Sequence, residues 1–300
     1  MNKKANLNRI KELYNNGENI IRHLRDNNPT SIEDIMISYD FQAGTYSDMY
    51  YKNPNITISI CDIFLEYIKS LDKVDTIFEA GVGEANKLVS IVNKFPSKLT
   101  WVGGADLSWS RVKVAQLFAE KNLSNCQACV NLFMGDMMEL PLLSNSIDLV
   151  YTSYALEPNG GKERELLREL YRVTRRWLVL LEPSYELAND AQKKRMDYHG
   201  YIKGLKETAE ELGYNVIRYE RFPVDENSDN PSAIMIIKKD SIEEKIDNPI
   251  CCPITKTPVK QLGNVYYSDE SMLAYPIING VACLTSENAV VATKMEKLCK

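Results

Sequence analysis

The sequence lacks the features that mark several classes of protein. No stretch approaches the roughly 18 consecutive apolar residues that a membrane-spanning helix needs. The first 28 residues are polar and have no signal-peptide core, so we expect a cytoplasmic protein with no membrane partner. The seven cysteines follow no regular framework, which predicts reduced thiols instead of disulfides.

Positive charge and histidine are also scarce. Lys and Arg number 36 against 41 Asp and Glu, and a net charge of −5 disfavours general affinity for nucleic acid or anionic lipid. Only two histidines are available as candidate bases, His23 and His199. What is present is an ordinary globular composition, 44% hydrophobic, in 300 residues. This length suits one large domain plus an appendage.

The pattern along the chain predicts three regions. Residues 1–72 read as a polar, helical cover, although the tyrosine-rich stretch at 37–54 is expected to be irregular. Residues 73–240 alternate seven predicted strands with helices, one of them at 193–214, which indicates an open α/β sheet. The last two strands are joined by a linker too short for a helical crossover, so one strand should run antiparallel. Residues 248–300 are predicted to form a small separate domain.

The stretch TIFEAGVGEANKL, residues 76–88, has the outline of a nucleotide-binding turn. In open α/β sheets the ligand lies beyond the carboxyl ends of the strands, where Gly81 and Gly83 would allow a tight turn and close approach. A dehydrogenase fingerprint would need a third glycine at Asn86, and Glu79 would repel a pyrophosphate. The loop therefore favours a ligand with an amino or cationic group. A plain strand–helix turn is the structural alternative.

Two further acids end the next predicted strands. Asp106 follows the second strand, where a carboxylate can accept hydrogen bonds from ribose hydroxyls. Asp136 follows the third, where it can receive an adenine amino group, and Met137 beside it offers a soft apolar surface. Each acid alone could cap a helix. Acids at the ends of three successive strands are harder to explain as caps.

Residues 75–184 resemble the class I S-adenosylmethionine-dependent methyltransferases, in their ubiquinone-biosynthesis-like, type 11 branch. EAGVGEA is similar to the motif E/D-x-G-x-G-x-G, with Ala85 at the last glycine, and WVGGADLSWSRVKVA, GDMMELPLLSNSIDLVYTSYALEPN and LLRELYRVTRRWLVLLEPS resemble the motifs that follow. The resemblance implies a Rossmann-like seven-stranded sheet with S-adenosyl-L-methionine as cofactor. It places the donor on Glu79, Gly81, Gly83, Asp106, Leu107, Asp136, Met137 and Ser153.

Aromatic residues ahead of this core are candidates for a cap over the donor. Tyr39 and Tyr46 lie in the tyrosine-rich stretch, and aromatic rings interact favourably with a sulfonium charge. The alternative is that these tyrosines pack the N-terminal helices on the sheet.

Candidate catalytic residues are Tyr154, Glu157 and His199. The donor is already activated, so the enzyme mainly aligns a nucleophile and excludes water. Related enzymes often carry a histidine after the fourth strand, where this chain has Pro158 or Asn159. Glu157 could act as a base or bind an ammonium group, and His199 in a predicted lid is the preferred base. A helix-entry role for Glu157 and a structural role for His199 are the alternatives.

The C-terminal stretch CPITKTPVKQLGNVYYSDESMLAYPIINGVACLT resembles the zinc-ribbon family that includes the activator subunit of tRNA and protein methyltransferases. In zinc-binding members a cysteine stands where this chain has Thr255, and a second pair precedes the Y-P-I motif. No cysteine lies between Cys252 and Tyr275, so four sulfur ligands cannot be assembled. We expect a zinc-free packing or interaction domain.

These observations predict an S-adenosylmethionine-dependent methyltransferase acting on oxygen or nitrogen of a small molecule. One alternative is a protein or peptide methyltransferase, with tRNA disfavoured by the acidic charge. Another is a non-catalytic donor-binding module that recruits a partner through its C-terminal domain. Homo-oligomerisation is left open.

Overall fold

The computed structural model describes residues 3–25, 30–124, 126, 128–240 and 244–298. The helices are α1 Leu7–Asn15, α2 Ile20–Arg25, α3 Ile32–Phe41, α4 Thr45–Lys52, α5 Asn55–Ile68, α6 Asn86–Asn93, α7 Trp109–Asn122, α8 Glu163–Val173, α9 Asp190–His199, α10 Leu205–Glu211 and α11 Met295–Leu298. The strands are β1 Thr76–Ala80, β2 Trp101–Asp106, β3 Cys129–Met134, β4 Ile147–Ser153, β5 Thr174–Pro183, β6 Asn215–Arg221, β7 Ser232–Lys238, β8 Lys260–Leu262, β9 Val265–Ser268, β10 Leu273–Ile278, β11 Val281–Ala282 and β12 Val290–Val291.

Strands β1 to β7 form one sheet in the order β3-β2-β1-β4-β5-β7-β6. Strands β1 to β5 pair in parallel, whereas β7 runs antiparallel to both of its neighbours. The strand order reverses between β1 and β4, which brings their carboxyl ends to a crevice where ligands bind in this class of sheet. The predicted seven-stranded α/β sheet and its antiparallel member are confirmed.

The sheet is buried on both faces. All residues of β1 are buried, which explains the continuous apolar run that predicted this strand. One face packs Ile77 and Val102 against α5 to α7, and the other packs Phe78 and Val150 against α8. This two-sided burial holds the strand ends that form the site.

The N-terminal cover differs from the prediction at residues 37–54. The structure places two helices there, α3 and α4, instead of an irregular segment. Ser31 and Asp34 form a reciprocal capping box at the start of α3. Gly44 adopts a φ of 98° between the helices, a conformation that suits glycine, and lets α4 begin three residues after α3.

Two element boundaries also differ from prediction. The helical reading of 193–214 is wrong in its middle, because α9 ends at His199 and Gly200 and Gly204 both adopt positive φ before α10. Strand β5 begins at Thr174, three residues earlier than its apolar run. Its polar start is buried, with Arg175 bonded to Asp148 on β4.

The C-terminal residues form a small antiparallel sheet in the order β11-β10-β9-β8, with β12 also on β10. This sheet packs against the edge strand β3. The amide of Leu284 donates a hydrogen bond to the carbonyl of Met134 at 3.0 Å, and the backbones of Cys283 and Met134 form an isolated parallel β-bridge. Tyr275 and Leu284 are fully buried in the core that includes Phe133. The described cysteines carry free thiols, as predicted: Cys61, Cys126, Cys251, Cys252 and Cys283.

No helix in the described ranges is both long and apolar enough to cross a bilayer.

Candidate active site

A cavity of about 770 Å³ opens at the carboxyl ends of β1, β2 and β4. Its volume lies within the range of small-molecule sites. The ten residues predicted to bind the donor all line it: Glu79, Gly81, Gly83, Asp106, Leu107, Asp136, Met137, Ser153, Tyr39 and Tyr46. Two of the three candidate catalytic residues, Tyr154 and Glu157, line it as well. The individual roles of these residues stay predictions.

The glycine loop leaves no room for side chains. A Cβ on Gly81 would lie 2.4 Å from the Cβ of Ala155, and one on Gly83 would lie 2.8 Å from the Arg111 guanidinium. Both glycines also have positive φ. Ala85, at the third glycine of the motif, is fully buried with a φ of 60°, so it adopts a glycine-like conformation. The loop therefore needs glycine at both positions, because the side chains of Ala155 and Arg111 fill the space that a Cβ would take.

Glu79 is a buried acid in the cavity wall. It accepts a hydrogen bond from the Tyr151 hydroxyl at 2.9 Å. Burial raises the pKa of Glu79 to about 8, although Lys87 and Tyr151 oppose the shift. A ligand cation beside this carboxyl group would favour its ionised form.

The acids after β2 and β3 are held by backbone amides. Asp106 accepts from the amides of Gly83 at 3.1 Å and Ser108 at 2.9 Å, which couples the β2 end to the glycine loop. Asp136 accepts from the Met138 amide at 2.8 Å, and burial raises its pKa. Both carboxylates are fixed in position and still line the cavity.

The donor predicted from the resemblance fits this set of residues. Ser153 lines the cavity, and its hydroxyl is buried without a hydrogen-bond partner within the described residues. The loop at Gly81 is closed to any side chain. Acidic groups for ribose and adenine and an apolar surface from Leu107 and Met137 line the same cavity. S-adenosylmethionine would thus meet polar and apolar groups suited to its parts.

A second cluster of polar side chains, around Glu157, lines the same cavity. The Tyr201 hydroxyl lies near the Glu157 carboxyl group and the Asn230 side chain, and all three residues line the cavity. Burial raises the pKa of Glu157 to about 7, while the Tyr201 hydroxyl opposes the shift. The loop between α9 and α10 is held here because the Ile202 amide donates to the Glu157 carbonyl at 3.1 Å. A carboxyl group that titrates near neutrality can exchange protons with a bound molecule.

Tyr154 lies against a partly buried ion pair. Lys87 and Glu226 pair at 2.9 Å, and the Lys87 ammonium lies 4.6 Å from the centre of the Tyr154 ring. Burial opposes the Lys87 charge, but Glu226 outweighs it and raises the Lys87 pKa. Tyr154 has a φ of 55°, and its hydroxyl accepts from Ser232 at 3.0 Å. This strained residue fixes the turn after β4.

The structure corrects the assignment of His199 as the preferred base. His199 ends α9 among Tyr198, Tyr201 and Arg195, outside the cavity lining. Burial and the neighbouring arginines lower its pKa. The sequence predicts a lid helix across this segment, but the break at Gly200 directs Tyr201 into the cavity instead. His199 is therefore not placed to exchange a proton with a ligand there.

Sequence reasoning missed several cavity residues. They are Arg111, Asn86, Lys87, Tyr201, Glu226 and Asn230. A usable signal existed for Arg111, because it stands beside Val112 and one turn before Ala115 on the buried face of α7. A charge in an apolar stripe often marks a site. Glu226 and Asn230 lie on the β6–β7 connection, and nothing in their spacing predicts contact with β1.

Two different parts of the chain are similar to known proteins. The sequence model of the Methyltransf_11 family, described as a methyltransferase domain, matches residues 78–180. A chain in the complex between the Haloferax volcanii Trm112 methyltransferase activator and a methyltransferase is 12% identical, with a TM-score of 0.51, covering 71% of this chain and 100% of that one. Magnesium protoporphyrin IX methyltransferase from Synechocystis PCC 6803 with bound S-adenosylhomocysteine is 13% identical, with a TM-score of 0.49, covering 77% and 98%.

A second match is shorter but has a higher sequence identity. A 48-residue stretch is 42% identical to a UPF0434 protein of Vesicomyosocius okutanii subsp. Calyptogena okutanii, covering 16% of this chain and 81% of that protein. This stretch belongs to the UPF0434 family.

The methyltransferase-domain match, together with the sheet order, identifies a class I S-adenosylmethionine-dependent methyltransferase. Within that class, residues 78–180 match the sequence model of a methyltransferase domain, and the cofactor is S-adenosyl-L-methionine. The predicted fold, enzyme class and cofactor are confirmed.

Proposed function

We propose that this methyltransferase acts on an oxygen or nitrogen of a small molecule. The supporting observation is the Glu157–Tyr201 pair, a partly buried carboxyl group and phenol in the cavity that also holds the predicted donor residues. Such a pair can orient a polar acceptor and take its proton. When bound, the donor supplies an activated methyl group on its sulfonium sulfur.

The donor roles follow the chemistry of each side chain. Asp106 would hold the ribose hydroxyls, and Asp136 with Met137 would hold the adenine. Glu79 would accept from the amino group of the methionine part, and the Gly81–Gly83 backbone would allow the close approach. Tyr39 and Tyr46 would cover the site from α3 and α4, which excludes water from the reacting centre.

The acceptor role falls on Glu157. With a pKa of about 7, it is about half ionised at neutral pH and can accept the proton that a hydroxyl or amine acceptor loses. Tyr201 would hold the carboxylate in one orientation. An acceptor that arrives as an ammonium would instead be bound by the ionised carboxylate and release its proton before reaction.

A peptide or protein acceptor is the second candidate. Met49 and Ile56 line the cavity although their side chains are 64% and 51% exposed, so they form an apolar rim that a longer acceptor could contact. The cavity itself suits one side chain of such an acceptor.

We also propose that the chain divides into a cover at 1–72, a methyltransferase domain at 73–240 and a zinc-free ribbon-like domain at 248–300. The end of β7 at Lys238 and the first C-terminal bridge at Ile250 support the second boundary. The 48-residue length of the UPF0434 match is consistent with the length of the proposed last domain. Its contact with β3 supports a packing role.

The test is a calorimetric titration with S-adenosylmethionine and S-adenosylhomocysteine, with NAD as the negative control. Asp106→Ala should abolish measurable donor binding, whereas Asp62→Ala, at an exposed position on α5, should leave it unchanged. Donor binding then justifies an acceptor screen in two arms, small hydroxyl or amino compounds and peptides.

Methylation in the small-molecule arm alone, lost in Glu157→Gln, is the expected result. Methylation of peptides alone would replace the proposal by the second candidate. Donor binding with no methylation in either arm would favour the non-catalytic alternative.

A further inference from the structure

Glu157 differs from the other acids that line the cavity. Within the described residues, no cation lies at ion-pair distance from its carboxylate and no backbone amide donates to it. The other acids each accept a fixed hydrogen bond: Glu79 from Tyr151, Glu84, Asp106 and Asp136 from backbone amides, and Glu226 from Lys87. Glu157 is therefore the cavity carboxylate that remains available to a ligand.

The two cations that act on Glu157 are both engaged elsewhere. Lys87 pairs with Glu226 at 2.9 Å. Arg195 does not line the cavity, and its guanidinium lies 5.8 Å from the centre of the Tyr201 ring. Two carboxylates, Glu157 and Glu226, therefore share this end of the cavity with one ammonium group. The excess negative charge favours a cationic ligand over a neutral or anionic one.

Neutral acceptor groups accompany this carboxylate. The Tyr201 hydroxyl and the Asn230 side chain line the cavity beside Glu157, and each contains an oxygen that can accept a hydrogen bond. An alkylammonium ion carries three N–H donors and no acceptor. A carboxylate with two neutral oxygens near it suits such a group, whereas a neutral hydroxyl compound would leave the Glu157 charge without a counter-ion.

An apolar surface lies next to the acid. Ile32, Ile35 and Tyr39 stand on one face of α3 and all line the cavity. Burial, with Tyr46 and Glu157 as further causes, raises the pKa of Tyr39, so the α3 face lies within reach of the Glu157 charge. A ligand that satisfies both the acid and this face carries a cationic group on a hydrocarbon body.

We infer that the methyl acceptor is a primary amine on an apolar carbon skeleton, bound as its ammonium ion by Glu157 with its hydrocarbon part against α3. This inference rests on the proposed function and narrows its acceptor from oxygen or nitrogen to nitrogen. It also gives Glu157 two successive tasks, first as counter-ion and then as proton acceptor.

The reaction balances with these groups. The bound ammonium ion first gives one proton to the Glu157 carboxylate, which leaves a neutral amine. The lone pair of that amine forms the new N–C bond to the methyl group, while the S–C bond breaks and its electron pair stays on sulfur. The product leaves as a methylammonium ion, and Glu157 returns its proton to solvent.

The experiment compares compounds that share a carbon skeleton and differ in the reacting group. Calorimetry would measure hexylamine against hexanol, phenethylamine against phenethyl alcohol, and tyramine against tyrosol, on protein saturated with S-adenosylhomocysteine near neutral pH. Glu157→Gln removes the charge and keeps the shape of the side chain, and Glu165→Gln, exposed on α8, is the matched control. Circular dichroism would establish that each variant is folded. Mass spectrometry would follow methyl transfer from S-adenosylmethionine to the same compounds.

In at least one pair, wild type should bind the amine about 10- to 100-fold more tightly than its alcohol, as expected for a hydrogen bond to a charged group. Glu157→Gln should remove most of that difference by weakening the amine while leaving the alcohol within about threefold. Glu165→Gln should bind as wild type does. Methyl transfer should give N-methylamines, and the phenol of tyramine should stay unmodified.

An amine advantage below about threefold in every pair would overturn the inference, because a charged contact contributes more than that. Equal weakening of amine and alcohol in Glu157→Gln would also overturn it, since that pattern belongs to a residue that only shapes the cavity. Methylation of the alcohols, or of the tyramine phenol alone, would overturn it and leave the proposed function standing. Failure of wild type to bind S-adenosylhomocysteine would overturn the proposed function and this inference with it.

Discussion

At the scale of single residues, two acids in the cavity are candidate bases. Glu157 and Glu79 line the same cavity, and burial raises the pKa of both, to about 7 and about 8. Glu79 is also tied to Tyr151, whereas Glu157 lies near Tyr201, which comes from a loop. Because Glu79 is proposed to hold the donor's amino group, Glu157 remains as the proposed proton acceptor.

We predict a pH dependence from this residue. A carboxyl group must be ionised to accept a proton, so kcat/KM should rise as pH increases through about 7 and then level off. Glu157→Gln should lower kcat by about 10²- to 10⁴-fold and remove that limb of the profile. Glu165→Gln, exposed on α8, should retain both. An unchanged limb in Glu157→Gln would assign the ionisation to another group.

At the scale of elements, the strands were predictable, whereas helices α3 and α4 of the cover were not. Strands β1 and β4 are buried on both faces, so their own residues carry the signal as apolar runs. Helix α4 depends on a distant residue instead. Glu84 accepts from the amides of Gly44 at 2.9 Å and Ser47 at 2.6 Å, across 40 and 37 positions of sequence. No local pattern could show this cap.

The cap at α4 leads to a stability prediction. Glu84 is buried and satisfies amides that α4 cannot pair internally, besides complementing its positive end. Glu84→Ala should lower the opening free energy of α4 amides by about 0.5–2 kcal/mol, the usual cost of a lost N-cap. Native-state hydrogen exchange would measure it, with Glu66→Ala, exposed on α5, as control. Equal protection of α4 in both variants would contradict the capping role.

A second element, the C-terminal region, contains a buried thiol that is surrounded by hydrogen-bonding groups. Cys252 Sγ lies 3.1 Å from the Tyr275 hydroxyl and 3.5 Å from Ser271 Oγ, and it accepts from the Thr255 amide at 3.4 Å. Burial opposes its ionisation, but the hydrogen bonds outweigh it and lower the Cys252 pKa to about 7. Across the residues that the structure describes, no three potential ligands are grouped for a metal ion.

We therefore predict that the purified protein holds no stoichiometric zinc. Elemental analysis after purification without chelator should give well under one zinc per chain, and added chelator should leave the unfolding midpoint unchanged. A zinc ribbon would lose stability on chelation. One zinc per chain, removed together with stability, would show that the ligands differ from those of the related family.

At the scale of the whole molecule, folding collects residues that sequence spacing cannot connect. Asp106 and Asp136 end parallel strands and could be placed by that rule. Arg111, Tyr201 and Glu226 reach the same cavity from a helix and two connections. His199 shows the converse, because its chemistry suited a base but the break in the helix left it outside. Type and spacing predicted the donor residues and Glu157, and only the packing of helix and loops added Arg111, Tyr201 and Glu226 to the same cavity.

The contact between the C-terminal sheet and β3 also belongs to the scale of the whole molecule. Leu284 is fully buried in the core shared with Phe133 and Leu142, and its amide completes the edge of β3. An exposed edge strand invites association with other chains, so this domain protects β3. Because the core is continuous, the two domains should unfold in one transition.

Leu284→Ala tests this joint. Truncating a buried leucine should lower the free energy of unfolding of the whole chain by about 2–5 kcal/mol. Leu298→Ala, whose residue is 80% exposed, should leave it unchanged. Denaturant titration followed by far-ultraviolet circular dichroism and tryptophan fluorescence would measure both. Coincident transitions that shift together in Leu284→Ala are expected, because burial couples the ribbon to the sheet. Two separate transitions, with only the smaller one shifted, would mean that the ribbon folds independently and that β3 does not need it.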